Sequence, residues 1–64
     1  MNIREYVEKM NIENKEKVLN VIQKCYHMSC LQDIEIDENG YVYQINYKEE
    51  RMQHIDTLID IANR

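Results

Sequence analysis

The chain has no proline, tryptophan or phenylalanine, and Gly40 is its single glycine. Without proline-rich or glycine-rich stretches, the sequence shows no linker and no low-complexity tail. The chain has 64 residues, so we expect one domain over residues 1–64. Such a small domain buries little of its surface and has a marginal core.

Long apolar runs are also missing. The sequence has no stretch of the roughly 18 apolar residues that a membrane-spanning helix needs. The N-terminal residues are charged and do not resemble a secretory signal peptide. We therefore expect a cytoplasmic protein, in which Cys25 and Cys30 stay reduced.

Motifs for catalysis are absent. The sequence contains no P-loop, no G-x-S-x-G elbow and no glycine-rich loop. A chain of this size also has little volume for a substrate pocket beside its core. Cys30 with His27 or His54 remains an alternative as a thiol nucleophile with a base. We predict a protein that is not an enzyme and has no cofactor.

Cysteine and histidine residues have the chemistry of zinc ligands, but their spacing argues against a metal site. On a helix, Cys25 and His27 point about 200° apart. The pattern C-x-H-x-x-C, which ends at Cys30, also differs from the paired C-x-x-C of zinc sites. We predict no metal site at these residues or at His54. Cys25 is then a core residue.

Three segments have apolar residues at helical spacing. Residues 2–10 form the first, with Asn2 as its N-cap. A break at residues 11–14 separates it from a longer helix at residues 14–29, although a single merged helix is an alternative. Residues 48–63 form the last, with glutamates in its first turn, where the helix dipole favours negative charge.

A hairpin is predicted around Asn39-Gly40, because this dipeptide is preferred in two-residue type I′ turns. The turn sets four cross-strand pairs: Glu38 with Tyr41, Ile36 with Tyr43, Ile34 with Ile45, and Gln32 with Tyr47. This register places isoleucines and tyrosines on one face and acids on the other. The hairpin must bury its apolar face against the helices. We therefore predict a small α+β domain with the order α(α)ββα.

The negative charge lies mostly in the hairpin region. Residues 31–50 contain six acids and one base, a net charge of −5, whereas the other residues contain six acids and seven bases, a net charge of +1. This field disfavours direct nucleic-acid binding. It suits the basic surface of a larger protein, which could itself bind nucleic acid. The predicted contact residues are Asp33, Glu35, Asp37, Glu38 and Tyr41. The alternative is a solvated face that only discourages aggregation.

The last helix has an apolar stripe that is wider than one hairpin needs. Leu58 and Ile61 are therefore predicted as a dimer interface, since uncovered apolar surface marks partner contacts. A homodimeric accessory subunit, in which the acids only maintain solubility, is the alternative function.

The composition, rich in Asn, Ile, Lys, Glu and Tyr, is typical of low-GC bacterial or phage coding sequences. In size and charge the chain is similar to phage-encoded inhibitors of host proteins, including anti-CRISPR proteins. This resemblance rests on general character and on no motif. It implies an inhibitor or regulator, encoded by a phage or mobile element, that acts in the host cytoplasm.

Overall fold

The computed structural model describes residues 1–27, 31–47 and 52–64. These residues form a compact α+β domain, and the predicted fold class is confirmed. The elements, in chain order, are helices α1 (Ile3–Lys9) and α2 (Lys15–Tyr26), strands β1 (Ile34–Ile36) and β2 (Tyr41–Gln44), a 3-10 helix (Ile45–Tyr47), strand β3 (Gln53–His54) and helix α3 (Ile55–Ala62). No helix in these ranges is both long and apolar enough to cross a membrane.

Asparagines define the ends of the first two helices. Asn2 Oδ1 accepts a hydrogen bond from the backbone N–H of Arg4 at 2.9 Å, so Asn2 is the predicted N-cap of α1. Asn11 and Asn14 have φ angles of 51° and 58°. Asparagine tolerates this left-handed conformation better than most residues. The two helices are therefore separate, and a merged helix is excluded. Helix α2 is shorter than predicted, because His27 is left-handed with φ of 54° and ends the helix after Tyr26. Residues 28–29 of the predicted helix lie outside the described residues.

The sheet is antiparallel with the order β1-β2-β3. Ile34 pairs with Gln44, Glu35 with Tyr43, and Ile36 with Val42. The predicted register is therefore wrong by one residue, and the second strand presents its other face to the core. Ile34, Ile36 and Val42 are buried, whereas Tyr41 is exposed.

The turn explains this register. The Asp37 N–H donates to the Tyr41 carbonyl at 3.0 Å, so Asp37 and Tyr41 form the last hydrogen-bonded pair before the turn. The loop inside this pair has three residues, Glu38 to Gly40, instead of the predicted two. Asp37 Oδ1 accepts from the N–H groups of Asn39 and Tyr41, both at 2.9 Å. Gly40 takes the left-handed conformation, with φ of 87°. This matches the three-residue hairpin loop, in which the last residue is left-handed. An aspartate that binds the backbone two residues later favours such a turn.

The last helix is shorter than predicted. Residues 53–54 form strand β3, which pairs with β2 through Tyr41–His54 and Val42–Gln53. The helix starts at Ile55, with His54 as its N-cap. Met52 is exposed and lies outside the apolar stripe. The glutamates predicted for the first turn of this helix, Glu49 and Glu50, fall within residues 48–51, which are outside the described ranges.

The core lies between the inner face of the sheet and all three helices. Its buried residues are Ile3, Val7, Val18, Leu19, Ile22, Tyr26, Leu31, Ile34, Ile36, Val42, Ile55 and Leu58. Tyr26 is the only member with a polar side-chain atom, and its hydroxyl donates to the Val42 carbonyl at 2.8 Å. The backbone of Gln53 is also close enough to this hydroxyl to lower its pKa against the larger raising effect of burial. Tyr26 therefore joins α2 to both β2 and β3.

Candidate interaction surface

The outer face of the sheet combines acids and apolar side chains. Antiparallel partners share one face of a sheet, and successive residues alternate between faces. Since Ile34, Ile36 and Val42 point into the core, their neighbours point outward. We use the term outer face for six residues: Asp33, Glu35 and Asp37 from the β1 side, and Tyr41, Tyr43 and Ile45 from the β2 side.

The outer face differs from the predicted acidic face. The sequence-based register assigned Tyr41, Tyr43 and Ile45 to the buried side of the hairpin. In the structure Tyr41 is 41% exposed and Ile45 is 49% exposed. The Asx-turn propensity of Asp37, with Gly40 three residues later, was the sequence signal for the alternative three-residue loop.

Two of the predicted contact acids have structural partners. Glu35 Oε1 lies 3.4 Å from the amino group of Met1. Asn2 forms an isolated β-bridge with Glu35, so the N-terminal segment lines the free edge of β1. The Asp37 carboxylate binds backbone N–H groups in the turn. These two acids therefore stabilise the hairpin in addition to any role in binding.

Asp33 and Glu38 are different. Both residues are exposed. Neither carboxylate forms an ion pair or hydrogen bond with another described residue. Replacing either acid removes a surface charge without breaking a bond within the described structure. These two positions are therefore the most suitable for testing binding.

His54 lies beside the outer face as the cross-strand partner of Tyr41 and holds that part of the surface in place. No motif in the sequence indicated this role. The His54 ring meets the Tyr41 ring edge-on, with centroids 5.1 Å apart and an interplanar angle of 88°. Its Nδ1 accepts from the Asp56 N–H at 3.1 Å, and its Nε2 lies 3.1 Å from the Asn39 carbonyl oxygen. Because Nδ1 accepts, the proton of the neutral ring is on Nε2, which then donates to Asn39. His54 thereby holds the turn, Tyr41 and the start of α3 together.

An open cleft lies beside the outer face, at the turn end of the molecule. Its volume is about 280 Å³, and it is lined by Met1, Tyr6, Ile36, Asp37 and Glu38. The first three contribute mostly apolar walls, and the two acids stand on the side of the turn. The cleft and the outer face share Asp37.

Cysteine and histidine do not converge in the described part of the chain. No group of three or more potential metal ligands is present there. His27 is exposed and follows α2 in a left-handed conformation, whereas Cys25 is half-buried against the core. Cys30 lies outside the described residues.

The predicted dimer residues have different environments. Leu58 is fully buried in the core of the single chain, so it is not available to a second copy. That part of the prediction is wrong, because α3 needs Leu58 to pack against α2 and the sheet. Ile61 is 39% exposed and stays available.

Comparison with known proteins provides no further assignment. The chain matches no protein-family model, no curated protein and no solved structure.

Proposed function

We propose that this protein is a non-enzymatic interaction module that binds the basic surface of a larger protein through its outer face. The partner's own function could be nucleic-acid binding, since proteins of that kind carry basic surfaces. The general similarity in size and charge to phage inhibitors leads us to propose inhibition or regulation of a host protein in the cytoplasm.

One observation carries the proposal: the register places aromatic and acidic side chains together. Glu35 and Tyr43 are direct cross-strand partners, and such partners have Cβ atoms about 5 Å apart. Protein interfaces commonly combine aromatic residues at the centre with polar residues at the rim. A solvated face whose acids only maintain solubility does not need exposed Tyr41 and Ile45.

Tyr41 is well suited to be an anchor. Its exposed ring is held against His54, which is itself fixed by hydrogen bonds to the turn and to α3. A side chain that is already ordered loses less conformational entropy on binding. Tyrosine is also enriched among the residues that dominate binding energies.

The size of the molecule sets how much of it a partner would cover. A standard interface buries about 800 Å² on each protein. The accessible surface here is 4477 Å², so such an interface would take under a fifth of it. The outer face alone spans the five positions from Asp33 to Asp37, or roughly 13 Å. The interface would therefore extend over the neighbouring turn and cleft.

The test is capture of partners with charge-reversed variants. Asp33→Lys with Glu38→Lys reverses two exposed carboxylates that form no bond within the described structure. The control, Glu8→Lys with Glu13→Lys, makes the same charge change at exposed positions outside the hairpin. A specific partner should be lost with the first variant and retained with the second. Retention of that partner by both folded variants would refute binding through this face.

Homodimerisation is the second candidate, and exposed Ile61 is the observation that favours it. A dimer through α3 would cover this side chain and leave the acids as solubilising groups. Light scattering at high protein concentration tests it. A wild-type dimer that becomes monomeric in Ile61→Asp would support this candidate, and a wild-type monomer would remove it.

A further inference from the structure

We propose that the cleft beside the turn receives one arginine side chain from the basic partner. The term cleft means the cavity lined by Met1, Tyr6, Ile36, Asp37 and Glu38. The proposal rests on the proposed function for the identity of the partner, and it adds the residue type that the partner inserts.

The volume of the cleft argues for a side chain. Sites for small molecules usually measure about 300–1,000 Å³ and bury most of the ligand. This cleft holds about 280 Å³, at the lower limit of that range, and it is open to solvent, so it would bury little of a small ligand. A single long side chain, entering from a neighbouring protein surface, needs less volume and needs no enclosure.

The chemistry of the walls selects the occupant. Met1, Tyr6 and Ile36 can pack against an aliphatic stem, while Asp37 and Glu38 can bind a cationic head. Arginine combines both parts in one side chain. Its flat guanidinium also binds carboxylates through two hydrogen bonds and stacks on aromatic rings such as that of Tyr6, which a lysine ammonium does less well.

Among the residues that line the cleft, Met1 carries the one cation, its amino group. This amino group lies 3.4 Å from both Glu35 Oε1 and the Ile36 carbonyl oxygen. That cation is therefore already paired outside the two acids of the cleft. Asp37 uses Oδ1 for the turn, and the Glu38 carboxylate forms no bond with another described residue. Both can face an incoming guanidinium.

The experiment uses N-acetyl-arginine amide as the probe and the full chain labelled with ¹⁵N. Addition of the probe to tens of millimolar should cause saturable shifts in the amide signals of Tyr6, Asp37 and Glu38. N-acetyl-citrulline amide has nearly the same shape without the charge and should cause much smaller shifts. Equal responses to both probes, or no saturable response, would overturn the proposal.

Two matched variants locate the binding. Glu38→Gln and Asp33→Asn each remove one exposed negative charge, but only Glu38 lines the cleft. We expect Glu38→Gln to weaken binding by roughly two- to fivefold, as for one solvent-exposed ion pair, and Asp33→Asn to leave it unchanged. Equal weakening by both would show a general charge effect and overturn the cleft assignment. Because this readout needs no partner, its failure is distinguishable from failure of the capture experiment.

Discussion

The imidazole of His54 covers Gly40 so closely that a Cβ atom on the glycine would lie 2.8 Å from Nε2. The neighbouring backbone is joined as well, since the N–H of Ile55 donates to the Gly40 carbonyl at 2.8 Å. Glycine is therefore required at position 40 for two reasons. It adopts a φ of 87°, and it leaves room for the ring that connects the turn to α3.

Replacing this glycine should destabilise the protein through both requirements. We expect Gly40→Ala to cost about 1–2 kcal/mol from the left-handed backbone alone, with an added cost because His54 must move. Urea denaturation followed by circular dichroism measures the change. In a His54→Ala background the cost of Gly40→Ala should be smaller, because the steric part is removed. An equal cost in both backgrounds would show that the ring and the glycine are not coupled.

His54 should contribute to stability through two separable bonds. His54→Ala removes both the cap of α3 and the bond to Asn39, and we expect a loss of about 1–3 kcal/mol. His54→Ser can still cap the helix but cannot reach Asn39, so it should recover part of the loss. The two variants are compared by their urea midpoints. If serine is no better than alanine, the capping role of His54 is contradicted.

The Asp37 side chain should stabilise the protein through its hydrogen bonds in the turn rather than through its negative charge. Asp37→Asn keeps a side-chain oxygen that can accept from Asn39 and Tyr41, so its stability should stay close to that of the wild type. Asp37→Ala leaves both N–H groups without this acceptor, at a cost of about 1–2 kcal/mol for exposed bonds to a charged group. Thermal and urea unfolding distinguish the pair. Equal destabilisation by both would instead indicate that the charge is what stabilises the hairpin.

Loss of the Tyr26 hydroxyl should weaken the packing of α2 against the sheet, because this hydroxyl links α2 to β2. In Tyr26→Phe the Val42 carbonyl loses the hydroxyl that donates to it but keeps its strand pairing with Gln53. Loss of one such hydrogen bond typically costs about 0.5–1.5 kcal/mol. Leu19→Val, another conservative core change, serves as a packing control, because it removes one methylene group and no hydrogen bond. Hydrogen exchange at the Gln53 amide should increase in Tyr26→Phe. Unchanged exchange there would contradict a joint between Tyr26 and β3.

Tyr26 also predicts how stability changes at alkaline pH. Burial raises the pKa of the Tyr26 phenol, the electrostatic interaction with Cys25 raises it further, and the backbone of Gln53 opposes both. The unfolded phenol ionises near pH 10, whereas the folded phenol keeps its proton to higher pH. The contribution is therefore fully present below about pH 10 and is lost as pH rises from there through the folded pKa.

Measuring unfolding from about pH 9 to about pH 11 tests this sign, because the range spans the ordinary tyrosine pKa. The other four tyrosines titrate in both proteins, so the difference between wild type and Tyr26→Phe isolates Tyr26. The wild type should lose stability faster than the variant as pH rises. A parallel decline in both would contradict the raised pKa.

Local signals in the sequence predicted most of the elements. Asn2 at the start of α1 and the asparagines between α1 and α2 act through short-range backbone preferences, and the structure places them accordingly. The alternation of Ile34 and Ile36 with acids also predicted which face of β1 is buried. These features depend on neighbours within a few residues, so they can be predicted from the sequence.

The register of the hairpin was decided by tertiary contacts. Asn39-Gly40 is compatible with a two-residue or a three-residue loop, and the choice exchanges the faces of β2. The three-residue loop puts compact Val42, rather than Tyr41 and Tyr43, under α2, where the hydroxyl of Tyr26 binds its carbonyl. Strand β3 also depends on tertiary packing. The sequence of residues 53–54 has no strand signal, and these residues form a strand by pairing with the edge of β2.

By itself, the sequence determined the α+β class, the Asn2 cap of α1, the turn position and the concentration of acids in the hairpin, since each depends on local preference or composition. Only the tertiary structure decided which side chains lie on the same face of the sheet as those acids. The one-residue shift in register turned Tyr41, Tyr43 and Ile45 outward beside Asp33, Glu35 and Asp37. It did so because the core between α2 and the sheet favours a buried valine, and because His54 closes over a turn that only glycine allows.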